Sequence, residues 1–129
     1  LILHAGDVGE GVLEELGAIA PVLAVHGNTD VPGDPLLPAE REVTIDGVRV
    51  HVSHGHELGS PTPALLLARY DADVLVYGHT HRPLLTQAGG RWVVNPGAAG
   101  PRRFDLQPSV ARLDISGGDV TIAHVSLRA

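Results

Sequence analysis

Apolar residues in this chain fall first into short unbroken runs and later into alternating ones. Leu1-Ile2-Leu3-His4-Ala5 shows no polar alternation and reads as a strand buried on both faces. Val12, Leu13, Leu16 and Ile19 recur at helical intervals, so residues 11–19 read as a helix, weakened at Gly17 and closed by Pro21. Val22 to His26 is a second apolar strand, which makes residues 1–26 a βαβ unit with parallel strands and a right-handed crossover. Residues 29–40 carry Pro32, Gly33, Pro35 and Pro38 with little period. They read as a loop, either a wall or lid beside a site or a passive connection.

The second half changes character. Residues 41–46 and 48–53 alternate about Asp46-Gly47, a hairpin signal. Ser60 to Tyr70 opens with an N-cap candidate and a first-turn proline and reads as a helix, packing back before an apolar strand at 73–77. Gly89-Gly90 joins strands at 83–88 and 91–95, and Gly117-Gly118 joins strands at 109–115 and 119–127. A βα pattern followed by hairpins predicts an α/β fold of two packed mixed β-sheets flanked by helices, in one domain over residues 1–129.

Composition narrows the class. A chain of 129 residues, 43% hydrophobic and 19% charged, holds a real core and is not a disordered segment. It has no cysteine, which excludes disulfides and thiolate-bound zinc. No apolar run approaches 18 residues and no basic-then-apolar leader is present, so the expectation is a protein without a membrane partner, in the cytoplasm. The net charge is −6, with no lysine and nine arginines, which disfavours nonspecific binding to nucleic-acid phosphates. The chain also lacks methionine, so Leu1 is not expected to be a translational start, and a segment is expected to precede it.

Four apolar strands run into glycine and a residue type that binds cations. They lead to Gly6-Asp7, to Gly27-Asn28-Thr29-Asp30, to Ser53-His54-Gly55-His56, and to Gly78-His79-Thr80-His81. Ligands of open α/β sheets bind beyond the carboxyl ends of the strands, so four such ends predict one mixed oxygen and nitrogen metal site. Two loop histidines facing water are the duller reading of any one pair.

In order and spacing, these four segments resemble the calcineurin-like metallophosphoesterase superfamily, and more narrowly its small single-domain prokaryotic phosphodiesterases. Asn95-Pro96-Gly97 is similar to a loop of that branch, and the resemblance runs from residue 1 to about 104. It implies an α/β/β/α sandwich, here without its first βα unit. It implies two divalent ions, Mn2+ first, with Ni2+, Fe2+ or Zn2+ as alternatives. Asp7 would bridge them, Asn28, His54 and His79 would complete one, and His81 would turn to the other. The implied reaction is hydrolysis of a small phosphate ester by direct attack of metal-activated hydroxide. Asp30 would orient a neighbour and His56 would contact phosphate or protonate the leaving oxygen. Arg102 and Arg103 could meet a substrate phosphate or form a solvated pair.

Two departures count against full activity. Thr29 stands where many members carry a histidine, and the Asp-x-His that opens the family pattern is missing before Leu1. The rival reading is therefore a catalytically weak or inactive scaffold of the same fold that binds a protein, similar to the retromer subunit that shares it. A structural single-metal protein is a third reading. Asp7 as an ordinary helix N-cap and Asn28 as a turn residue are the plain alternatives for those positions. His4, His26, His51 and His124 lie in strand patterns and read as packing or edge residues, and Trp92 and Phe104 as core. A homo-oligomer is left open.

Overall fold

A computed structural model describes residues 1–100 and 107–127, so Arg102, Arg103 and Phe104 lie outside the described residues. Strand β1 (Ile2–His4), helix α1 (Val12–Gly17) and strand β2 (Val22–Ala24) make the first unit, with β1 and β2 parallel. Next come β3 (Glu40–Ile45), β4 (Val48–Ser53), a single 3-10 turn at His56–Leu58, α2 (Pro63–Arg69) and β5 (Val74–Val76). The chain ends in β6 (Leu84–Ala88) and β7 (Arg91–Asn95), then β8 (Ser109–Ser116) and β9 (Asp119–Ser126). None of the described helices is long and apolar enough to cross a membrane.

The strands form a five-stranded mixed sheet in the order β3-β4-β5-β7-β6 and two pairs, β1-β2 and β8-β9. Within the large sheet β4, β5 and β7 run parallel, and the hairpin partners β3 and β6 close the edges antiparallel. Strand pleat sorts the side chains. Val48, Val50, Val52, Val74, Val76 and Val94 face one side, where Leu3 and Val25 beside β1-β2 and Leu113, Ile115 and Ile122 of β8-β9 pack onto them. Leu75 and Val93 face the other side and pack on Leu66 and Leu67 of α2. Val12 and Leu13 of α1 cover the outer side of β2 with Val8 and Leu37. The layers thus run helix, strand pairs, large sheet, helix, which is the expected sandwich.

Local chemistry accounts for the elements. Thr62 caps α2 by accepting from the Leu65 amide at 3.3 Å, and Pro63 occupies the first helical position where no amide donor is needed. Helix α1 is shorter than its apolar period predicts, ending at Gly17, after which the Ile19 amide tightens onto the Leu16 carbonyl three residues back at 2.9 Å. β1 also corrects an expectation. Its three residues are half-buried rather than buried on both faces, since β2 is its sole strand partner among the described residues. The proline-rich 29–39 segment is anchored, because Leu37 is buried and the Pro38 carbonyl accepts from the His26 amide at 2.8 Å.

Candidate metal centre

β1 and β2 end at the same edge as β4 and β5, so the four turns carrying Asp7, Asn28, His54 and His79 meet where the small and large sheets abut. His54 is the buried centre, 1% exposed. Its Nδ1–H donates to the Ala5 carbonyl at 2.7 Å, and its Nε2 lies 3.0 Å from Asn28 Oδ1 and 3.3 Å from Asp7 Oδ2. The His79 ring stands edge-on to His54 with centroids 5.1 Å apart. Asp7 is not a helix cap: α1 begins after Gly11, and Asp7 Oδ1 instead accepts from the Thr29 amide at 2.9 Å.

Electrostatics give this grouping its meaning. Burial, more than any other influence, lowers the pKa of His54 and keeps its ring neutral. With Nδ1–H committed to Ala5, the neutral ring has only a lone pair at Nε2. That lone pair, the amide oxygen of Asn28 and the carboxylate oxygen of Asp7 are three acceptors facing one another without a donor. Burial works to raise the pKa of Asp7, yet the Thr29 bonds and the nearby His54 and His79 outweigh it and hold the pKa below its ordinary value. A carboxylate, an amide oxygen and an imidazole nitrogen are a donor set that suits a divalent ion. Among the described residues no three His, Cys, Asp or Glu side chains group to hold a metal ion by themselves.

The backbone is bent to make this grouping. Asp7, His79 and His81 all have positive φ, at 54°, 67° and 62°, a region that costs non-glycine residues energy and that concentrates at functional sites. Gly27 cannot carry a side chain, because a Cβ there would run into the backbone and carboxylate of Asp7. Gly6, at φ 99°, would press a Cβ to 2.6 Å from His54 Nδ1.

Asp30 lies one step back from the cluster. Its Oδ1 accepts from the Val8 amide at 2.8 Å and its Oδ2 from the Gly27 amide at 2.8 Å, which ties the Asp7 turn to the Asn28 turn. His56 has its ring centroid 5.1 Å from His54 and 6.3 Å from both His79 and His26, and its Nδ1 is buried without a hydrogen-bond partner. His81 is half-buried and makes no hydrogen bond, ion pair or ring contact with the cluster among the described residues.

Two positioning groups escape a reading of the sequence. Asn95 is completely buried, and its amide donates to the Gly78 carbonyl at 3.1 Å and to Thr80 Oγ1 at 3.0 Å, while its oxygen accepts from the Gly97 amide at 2.9 Å. It thereby pins the loop that carries His79 and His81. The likeness of Asn95-Pro96-Gly97 to a loop of the family marks the position without giving Asn95 this role. The other is the Ala5 carbonyl, which has no side-chain signature at all. The strand histidines follow the plain reading: His51 stacks on Tyr70 at 3.9 Å, His124 bonds the Asn95 carbonyl at 2.7 Å, and His26 bonds the Asp30 carbonyl at 3.1 Å. His4 stands near Asp7 and Asp30 with Nδ1 buried and unpartnered.

Comparison with known proteins agrees with this architecture. The family model described as "Calcineurin-like phosphoesterase superfamily domain" matches residues 1–118. A probable metallophosphoesterase of Methanothermobacter thermautotrophicus is 37% identical over 121 residues, covering 88% of this chain and 69% of that protein. The phosphodiesterase YfcE of Escherichia coli K12 is 38% identical over 119 residues, covering 87% of this chain and 63% of its own length. The chain therefore spans about two thirds of these relatives. Among solved structures, Vps29 of Chaetomium thermophilum is similar with a TM-score of 0.79 and 26% identity, covering 97% of this chain and 78% of that one. The match across nearly the whole chain, together with the sandwich and its junction of strand ends, places this protein in the calcineurin-like phosphoesterase superfamily, whose members hydrolyse phosphate esters.

Proposed function

We propose that this chain carries the catalytic site of a metal-dependent phosphodiesterase acting on small phosphate esters through a binuclear centre. The observation that carries the reading is the meeting of Asp7, Asn28 and His54 as three facing acceptors, which a divalent cation would satisfy and nothing in the described protein does. Asp7 would contribute to both ions, Asn28, His54 and His79 would complete one of them, and His81 would serve the other on the strength of its place in the loop alone. Mn2+ is the first choice, with Ni2+, Fe2+ and Zn2+ as alternatives. When bound, such ions activate a water for direct attack at phosphorus and neutralise charge on the phosphoryl oxygens.

The protein's own groups set the stage for that chemistry. Ala5 fixes the His54 tautomer, and Asp30 holds the Asp7 and Asn28 turns at a constant separation. His56, beside the cluster with a free buried nitrogen, is placed to meet a phosphoryl or leaving oxygen. Arg102 and Arg103, outside the described residues, remain candidates for contact with a substrate phosphate. The test is metal analysis of the full-length protein and hydrolysis of bis(4-nitrophenyl) phosphate with Mn2+ supplied. Two bound ions and turnover support the reading; neither metal nor turnover removes it.

The scaffold reading has one observation of its own, the likeness to Vps29 at 26% identity. Thr29 is consistent with it. A protein that binds the cation and is stabilised by it but hydrolyses no ester would favour that reading over the enzyme.

A further inference from the structure

A cavity of about 170 Å³ opens beside the cluster, lined by His26, Glu40, His56, Glu57, Arg69 and Tyr70. His56 belongs to both: its ring is 5.1 Å from His54 on one side and it forms part of the cavity wall on the other. An ester held at the Asp7-Asn28-His54 cluster would bring one substituent toward His56 and the space that it walls. The anchored loop that ends at Glu40 builds the opposite wall.

The lining decides what fits. Glu57 accepts from the Gly55 amide at 2.9 Å and from the Tyr70 hydroxyl at 2.7 Å, and Glu40 lies 3.3 Å from His51 Nε2. Both carboxylates nonetheless border the cavity and repel a second anionic group. Arg69, its guanidinium 5.7 Å from the Tyr70 ring centre, has no carboxylate partner among the described residues. His56 Nδ1 is likewise unpartnered. An aryl group offers no hydrogen bond to Arg69, to Glu40 or to His56 Nδ1. A hydroxyl both donates and accepts, so it answers carboxylate and guanidinium alike. The volume equals about six waters at about 30 Å³ each, enough for a triol or pentose and too small for a larger glycoside.

Resting on the phosphodiesterase reading, we propose that this cavity is the leaving-group subsite and selects a small polyhydroxylated alcohol over aryl or additional anionic groups. In the reaction, the oxygen of water bonds to phosphorus and the P–O bond to the alcohol breaks. The departing oxygen leaves as the free alcohol, carrying one proton of that water. Arg69 and Glu40 are specificity residues, remote from the reacting atoms.

The experiment compares kcat/KM for bis(glyceryl) phosphate and bis(4-nitrophenyl) phosphate in the full-length Mn2+-loaded protein, in Arg69→Ala and in Glu40→Gln. Arg69 is exposed at the end of α2, and thermal melts confirm that each variant is folded. The expected result is a fall of at least tenfold in the glyceryl-to-aryl ratio in each variant. Both esters turned over with a ratio that moves less than twofold overturns the subsite while leaving the phosphodiesterase intact. Hydrolysis of neither ester overturns both.

Discussion

The Nδ1–H of His54 and the carbonyl of Ala5, 49 residues apart in sequence, are joined at 2.7 Å. This single bond decides which nitrogen of His54 faces the cluster. Because the ring is buried and neutral, the nitrogen left over is an electron pair pointed at two oxygens. On the proposed reading, a cation would complete this arrangement.

Addition of Mn2+ is accordingly expected to raise the melting temperature. At a hundredfold excess over the dissociation constant the stabilisation is about 2.7 kcal/mol, or several degrees for a domain of this size. Asn28 is exposed, so Asn28→Ala should leave metal-free stability within about 0.5 kcal/mol while shrinking the Mn2+-induced shift. Differential scanning fluorimetry across a metal titration reads both. An undiminished shift in the variant would remove Asn28 from the ligand set.

Asn95 acts at a distance. Asn95→Ala leaves the Gly97 amide without its partner and takes one of two donors from the Gly78 carbonyl, which keeps the Thr80 amide at 2.8 Å, and is expected to cost about 1–3 kcal/mol. Since the freed loop carries His79 and His81, metal affinity should fall together with stability. Urea unfolding paired with Mn2+ titration measures the two. Lost stability with unchanged affinity would restrict Asn95 to a structural part.

His81 holds φ at 62°, a conformation that suits glycine. His81→Gly is expected to stabilise the metal-free protein, by about 1 kcal/mol, from relief of left-handed strain offset by added chain freedom. The same change should lower turnover if His81 serves the second ion. Equilibrium unfolding and hydrolysis rates of one variant therefore move in opposite directions. Equal or better turnover would dismiss His81 as a ligand.

The Glu57–Tyr70 pair predicts a pH window. Burial first, then the bond to Glu57, pushes the Tyr70 hydroxyl up to about 12 from its ordinary 10.0. The unfolded chain thus loses this proton at lower pH than the folded one, so stability is full below pH 10 and falls as pH rises toward about 12. Burial alone would raise Glu57, but its bonds to Tyr70 and to backbone amides prevail and hold it below 4.5, so its contribution is present above pH 4.5 and lost as pH falls further. Tyr70→Phe should flatten both limbs of a pH series of urea midpoints. The alkaline limb will not vanish, because burial also raises Tyr77.

Much of this was visible in the chain and some was not, for physical reasons. Apolar runs and glycine turns are local, so β2, the three hairpins and the presence of α2 follow from the sequence, although α2 starts at Thr62-Pro63 and not at Ser60. The four candidate turns also announce themselves, because each pairs a strand end with glycine. What fails is anything decided between segments. The strength of burial on β1, the bond of Asp30 to Val8, and the bonds of Asn95 to Gly78 and Thr80 depend on neighbours about 15–22 residues away, beyond the local patterns read along the chain. The cavity beyond His56 belongs to the same class, being walled by residues from 26 to 70.

The separation of the β1-β2 pair from the large sheet has a mechanical outcome. Among the described residues no ladder joins the two layers, so an ion gripped by Asp7 and Asn28 from one and His54 from the other would act as a rivet. Chelation should loosen the smaller layer first, and amide hydrogen exchange at Ile2 and Val25 would then quicken ahead of Val50 and Val74, which the wider sheet shelters by itself.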